Sequence, residues 1–177
     1  MKASSLRVWS QSPERFYEEA FTQIAKTRMK GLPINNPRLQ VRAMGFDRLG
    51  RDWLGCVVTP WSILVVLACG HRETWQHIPA THVRSVTLPS GDYDFMGMSD
   101  PILGEYQACS LMSPVTHVPD QRTAEAIAQQ ALWLMRQAKS TEPVEEEGSV
   151  LIPDPSTDKE FGVKGQSRRG FLIGKKS

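Results

Sequence analysis

The feature that most constrains the fold is the apolar run over residues 63–69, Ile-Leu-Val-Val-Leu-Ala-Cys, closed in front by Pro60 and behind by Gly70. The run is too short for a well-defined helix, is rich in β-branched side chains and is flanked by breakers, so it predicts a buried strand. Its neighbours read the same way. Residues 40–46 and 52–59 flank a polar turn at 47–51 that contains Gly50, the pattern of a hairpin. Residues 83–88 form a strand ending at Pro89-Ser90-Gly91. Residues 92–98 and 103–112 flank Ser99-Asp100-Pro101 as a second hairpin. Residues 71–81 carry no readable pattern.

Two amphipathic stretches bracket this strand-rich middle. Ser12-Pro13-Glu14 is a helix start, followed by Phe16, Ala20 and Ile24 with Tyr17, Phe21 and Ala25 on one face, and Gly31 and Pro33 stop it. Pro119-Asp120 opens the other, in which Ala124, Ile127, Ala128, Ala131, Leu132 and Met135 share a side until about residue 139. Short turns between strands imply antiparallel pairing. The expected class is α+β: an antiparallel sheet of about five or six strands covered by an N-terminal and a C-terminal helix.

A chain of 177 residues suits one domain, and residues 1–140 hold nearly all of the apolar pattern. Residues 141–177 shift to Glu, Pro, Ser, Thr and Gly, the composition of a flexible acidic linker and basic C-terminal tail. Residues 142–160 carry seven carboxylates and one lysine; residues 161–177 carry five basic side chains and no acid. With a net charge of +2 the chain has no general attraction for a phosphate backbone, so nucleic acid is not an expected partner. The 63–69 run falls far short of the roughly 17 to 25 residues of a membrane-spanning helix. No secretory leader is expected at the N-terminus either, which points to the cytoplasm, where Cys56, Cys69 and Cys109 stay thiols.

Candidate chemistry is sparse. Cys69-Gly70-His71 sets a thiol beside an imidazole in sequence, but no orienting pattern accompanies it. No CxxC or HExxH spacing occurs, and Cys56 and Cys109, which could face each other across the sheet, are only two thiols. No cofactor is expected. A more specific signal is the set Trp53, Thr59-Pro60-Trp61 and Trp75, which reads either as a peptide-binding groove or as core. At the far end, Ser167-Arg168-Arg169-Gly170-Phe171-Leu172 matches the core of the twin-arginine export motif, without the long apolar segment that a working leader needs behind it.

Three blocks carry a family likeness. Residues 54–61, Leu-Gly-Cys-Val-Val-Thr-Pro-Trp, residues 88–91, Leu-Pro-Ser-Gly, and residues 106–114, Tyr106 through Cys-Ser-Leu-Met-Ser-Pro, together with the Arg168-Arg169 tail, resemble the NiFe-hydrogenase assembly chaperones of the HybE type, a group that includes HupJ and HoxT. The likeness runs from the first helix to the last residues, apart from the acidic linker. It implies an accessory protein with no catalytic residue. Such a protein holds immature hydrogenase subunits in the cytoplasm, above all the iron–sulfur small subunit precursor with its twin-arginine leader, with the large subunit as a further partner.

On that reading the residues expected to bind the partner are Trp53, Thr59, Pro60, Trp61, Ser110, Pro114, Arg168, Arg169 and Phe171. A leader offers two arginines and a greasy segment, so its receptor should offer aromatic anchors with carboxylates nearby, drawn from Asp52, Asp92, Asp94 or Glu105. The Arg168-Arg169-Gly170-Phe171 segment would then act as a displaceable plug of the same groove. Two rival readings are a redox or metal-handling protein using Cys56 and Cys109, and a small hydrolase using Cys69 and His71.

Overall fold

The computed structural model describes residues 5–139. Helix α1 (Glu14–Lys26) is followed by strands β1 (Arg42–Leu49), β2 (Asp52–Val58), β3 (Ile63–Ala68), β4 (Val83–Leu88), β5 (Gly91–Asp100) and β6 (Gly104–Met112), and then by helix α2 (Gln121–Arg136). The strands form one six-stranded sheet in the order β1-β2-β3-β6-β5-β4. Every neighbouring pair is antiparallel. The predicted α+β class and both hairpins are therefore present. Among these residues no helix is long and apolar enough to cross a membrane.

The helices lie on opposite faces of the sheet. Side chains alternate along a strand, so the 63–69 run has to be apolar at every position if both faces are covered. Ile63, Val65 and Leu67 join Leu54, Cys56 and Val58 beneath α2, packed on Ala124, Ala128, Leu132 and Met135. Leu64, Val66 and Ala68 join Trp53, Val57 and Tyr106 beneath α1, packed on Tyr17, Ala20, Phe21 and Ile24. Tyr17 stacks on Phe46 at 5.3 Å between ring centres and meets Tyr106 edge-on at 5.8 Å.

The two faces are covered unequally. On the α2 side, the segment leading from β3 to β4 folds back over β5 and β6. Trp75 is buried there, and a side chain at Gly97 would collide with the Pro79 carbonyl. On the α1 side no described segment reaches the outer strands in this way: Val83 and Met96, cross-strand partners, are 54% and 41% exposed.

Helix ends differ slightly from the sequence expectation. Pro13, not Ser12, holds the cap position of α1, with the Ser12 hydroxyl accepting the Glu14 N–H at 3.5 Å. The helix ends at Lys26, ahead of Gly31, because the Thr27 hydroxyl donates back to the Gln23 carbonyl at 2.7 Å and the Met29 N–H closes on Ile24 at 3.0 Å. At α2 the Asp120 carboxylate accepts the Thr123 N–H at 2.7 Å, the expected cap.

The β1 edge of the sheet is closed by side chains. Glu18 accepts the Ala43 N–H at 2.9 Å, Glu14 accepts the Phe46 N–H at 3.1 Å, and Arg136 donates to the Gly45 carbonyl at 2.8 Å. The same Arg136 nitrogen also donates to Leu54 at 2.6 Å, which pins α2 across β1 and β2.

Candidate functional site

The uncovered part of the α1 face begins as a groove. A cavity of about 400 Å³ opens between the end of α1 and strands β3, β6 and β5, with Phe21, Ile24, Met29, Leu64, Met98 and Tyr106 as its apolar wall and floor and Trp61 at its rim. Polar groups edge it: Ser62, Ser110, Ser113 and the Arg28–Asp100 pair. A larger depression, about 490 Å³, lies along α1 between Glu18 and Thr27 and is lined only by polar and charged residues, so the Trp61 groove is the better candidate for binding an apolar segment.

Each wall follows from local sequence. Phe21 and Ile24 are one helical turn apart on the buried stripe of α1. Met98 pairs with Tyr106 across β5 and β6, and Leu64 pairs with Ser110 across β3 and β6, so all four point to the same face. Trp61 is positioned by a tight turn. The buried Thr59 hydroxyl accepts the N–H groups of Ser62 at 2.9 Å and Trp61 at 3.3 Å, and donates to the Ser62 carbonyl at 2.9 Å.

Behind this turn the Pro60 carbonyl accepts the Asn36 N–H at 2.7 Å. The buried Asn36 side chain then donates to Val115 at 2.9 Å and Val118 at 2.8 Å, tying the loop after α1 to the segment that follows β6.

The Asp100 carboxylate receives Arg28 at 2.6 Å and the N–H groups of Ile102 and Leu103 at 2.7 and 3.0 Å. Partial burial opposes its charge, but these donors outweigh that and hold its carboxyl below the ordinary aspartate value. It is an anion at the groove rim at neutral pH. Further along the same face, β5 presents Asp92 and Asp94, both exposed, in line with Met96 and Met98 at every second position. Asp92 accepts the Thr87 hydroxyl at 2.7 Å.

The candidate residues separate. Trp61 and Ser110 line the groove, Thr59 and Pro60 build the turn that sets Trp61, and Pro114 is exposed next to Ser113. Trp53 does not reach the groove. It is buried to 9% exposure under α1, its indole N–H donates to the Trp9 carbonyl at 2.9 Å, and the Arg48 guanidinium stacks on it at 4.1 Å. Trp75 is also core, its indole N–H donating to Glu105 at 2.8 Å.

Glu105 is engaged by Trp75 and His77, and Asp52 by the Gly70 N–H at 2.9 Å, whereas Asp92 and Asp94 belong to the open face. Arg168, Arg169 and Phe171, the linker and the tail lie outside the described residues.

The thiols are set apart. Cys56 and Cys109 both pair with Val65, one on either side of β3, which puts them about 10 Å apart at the ordinary strand spacing. The Cys56 thiol donates to the Ala128 carbonyl at 3.3 Å, and burial pushes it up to about 12. Burial also pushes the Cys69 thiol up to about 11, while the His71 ring lies against Arg51 and Glu73. Among the described residues no three His, Cys, Asp or Glu side chains converge as a metal site would require.

The groove residues that sequence reasoning missed are Phe21, Ile24, Arg28, Met29, Ser62, Leu64, Met98, Asp100, Tyr106 and Ser113. Phe21 and Ile24 read correctly as a buried helix face. Nothing in a helical period says that the last turn of that face borders an open groove.

A six-stranded antiparallel sheet with one helix on each face and an apolar cleft at the open end of one of them defines a small α+β domain with one partly open face. Comparison with known proteins gives it a family: residues 12–174 match the family described as NiFe-hydrogenase assembly, chaperone, HybE. The chain belongs to that family of hydrogenase assembly chaperones. It is 34% identical to the protein HoxT of Cupriavidus necator over 174 residues, covering 92% of this chain and 88% of that one. It is 31% identical to the hydrogenase expression/formation protein HupJ of Bradyrhizobium diazoefficiens over 155 residues, covering 88% and 83%.

The hydrogenase-2 operon protein HybE of Escherichia coli K12 is 33% identical over 107 residues, covering 60% and 65%. The solution structure of HybE from Escherichia coli shares the fold, with a TM-score of 0.60, 24% identity and coverage of 100% and 98%.

Proposed function

We propose that this chain acts in the cytoplasm by binding an immature subunit of a NiFe hydrogenase, the iron–sulfur small subunit with its twin-arginine leader, in the Trp61 groove. The observation that carries this reading is the pairing of an apolar cleft with a line of carboxylates on one open face. A leader presents an arginine pair followed by apolar side chains. Met98, Leu64, Phe21 and Trp61 suit the apolar part; Asp92 and Asp94 suit the guanidinium groups, with Asp100 at the rim.

Exposed ion pairs contribute only about 0–1 kcal/mol each, so the apolar contacts carry most of the affinity and the carboxylates set orientation. In sequence the chain's own Arg168, Arg169 and Phe171 repeat the ligand's pattern, which makes that segment an expected competitor of the leader.

The test is calorimetry of the full chain with a synthetic twin-arginine leader peptide and with the same peptide in which both arginines are glutamine. Tight binding of the first and weakened binding of the second are expected. Equal affinity for the two, or none for either, overturns the assignment. Removing residues 167–177 should tighten the leader's binding; unchanged affinity would dispose of the competing tail.

A further inference from the structure

An antiparallel sheet of this kind has two edges, and each presents unpaired backbone groups unless something closes it. At β1 the closure is explicit, with Glu14, Glu18 and Arg136 on the outward N–H and carbonyl groups. At β4 there is none among the described residues. The β4–β5 hairpin turns through Pro89 and Ser90, with Leu88 opposite Gly91 as its closing pair. A two-residue turn closes on a hydrogen-bonded pair, and such pairs then recur at every second residue, at Val86 and Arg84.

The Gly97 N–H, which donates to the His82 carbonyl at 2.8 Å, is in phase with that pattern. The backbone groups of Val83, Ser85 and Thr87 therefore point away from the sheet, and no described residue bonds them.

Of the devices that blunt an edge, the strand itself carries one charge, Arg84. Its register with β5 runs without a bulge from Val83 to Leu88, and it contains no proline and no lysine. Its single charge, Arg84, is turned onto the α2 side, where it donates to Gln107 at 2.8 Å and also to Gln76. The surface flanking the edge on the α1 side continues the groove: Met96 follows Met98 along β5, with Val83 beside it, and Asp92 and Asp94 lie opposite Thr87 and Ser85.

We propose that β4 is a pairing edge, onto which the arginine-bearing segment of the partner polypeptide adds as an extended seventh strand. This rests on the reading above and deepens it by giving the mode of capture. Backbone hydrogen bonds to Val83, Ser85 and Thr87 give the partner affinity without regard to side chain. Alternate residues of the added strand face Val83, Met96, Asp92 and Asp94, which select apolar and basic ones.

A basic segment fits better than a second copy of this chain. Pairing two β4 edges would bring both pairs of aspartates onto one surface, and no β4 or β5 position on that face supplies a cation.

The test is amide hydrogen exchange by NMR on the full isotope-labelled chain, with and without the peptide Ser-Arg-Arg-Gly-Phe-Leu-Ile-Gly. Exchange at Ser85 and Thr87 should slow by about tenfold or more, while Ala43 and Phe46, already bonded to glutamates, should not change. Ser85→Pro removes an outward donor and no β4–β5 hydrogen bond, so it should weaken the peptide by about tenfold, with Ser85→Ala binding like the parent chain.

Peptide binding without slowed exchange at Ser85 and Thr87 overturns the pairing edge and leaves the groove standing. No peptide binding at all overturns both. Protection at Ser85 that grows with protein concentration and needs no peptide assigns the edge to self-association and overturns the proposal. If Ser85→Pro does not fold, exchange in the parent chain decides alone.

Discussion

Replacing Trp53 and Trp61 separately by alanine should give opposite signatures, although the two residues look alike in the sequence. Trp53 is 9% exposed, packs in the α1 core, donates its indole N–H to Trp9 and carries Arg48 on its ring. Truncating a buried aromatic of this kind costs about 3–5 kcal/mol, which for a folded unit of this size lowers the melting temperature by roughly 10–20 °C. Trp61 is half-buried at the groove rim, held by backbone bonds to Thr59 that alanine keeps. Its removal should cost about 1 kcal/mol of stability.

In binding the order reverses. An anchoring tryptophan contributes about 2 kcal/mol or more, so Trp61→Ala should raise the Kd for a leader peptide about thirtyfold. Calorimetry at a temperature where both variants remain folded, paired with thermal melts followed by circular dichroism, reads both quantities. A Trp61→Ala melt as depressed as that of Trp53→Ala, or a Kd that does not move, refutes the division of the two tryptophans into anchor and core.

Asn36→Ala removes hydrogen bonds to Val115, Val118 and Arg38 in a buried site and should lower stability by about 3 kcal/mol, read from the urea midpoint; a loss under half of that would contradict the clip. Asp92→Asn with Asp94→Asn should weaken leader binding modestly at low salt and hardly at all at high salt, and a salt-independent loss would mean the carboxylates act through the fold.

Burial holds the folded thiols of Cys56 and Cys69 at about 12 and about 11 against an ordinary value of 9.0. The folded state therefore keeps protons that the unfolded chain releases, so this contribution is complete below pH 9.0 and declines as pH rises through that window. A urea midpoint that stays level across it, or rapid alkylation of either thiol in the folded protein, would contradict their placement.

Much of the fold was legible because its signals are local. The breaker-bounded 63–69 run, Pro89-Ser90-Gly91 and the Asp120 cap each specify their element without help from distant residues. What was not legible is which face each helix takes. The two stripes are alike in period, and only the doubly apolar β2 and β3 show that both faces are in use. The groove was half legible. Trp61 was found by its Thr-Pro-Trp turn, and Asp92 and Asp94 as carboxylates near it.

Trp53 sits in the same stretch of sequence but one strand position decides its side, and its partners Trp9 and Arg48 come from other elements. Met98 and Asp100 meet Leu64 and Trp61 only because β6, their hairpin partner, pairs with β3 on its other side, a non-local pairing that periodicity does not encode. Cys56 and Cys109 could be imagined as facing each other until the strand order put Val65 between them.

The most direct measurement is recovery of the hydrogenase small-subunit precursor from cells on the tagged full chain, with the precursor made either with or without its leader. Strong recovery with the leader, a marked fall without it and an equal fall for the Trp61→Ala chain are expected. The same recovery whether or not the leader is present would contradict the claim that this surface grips it.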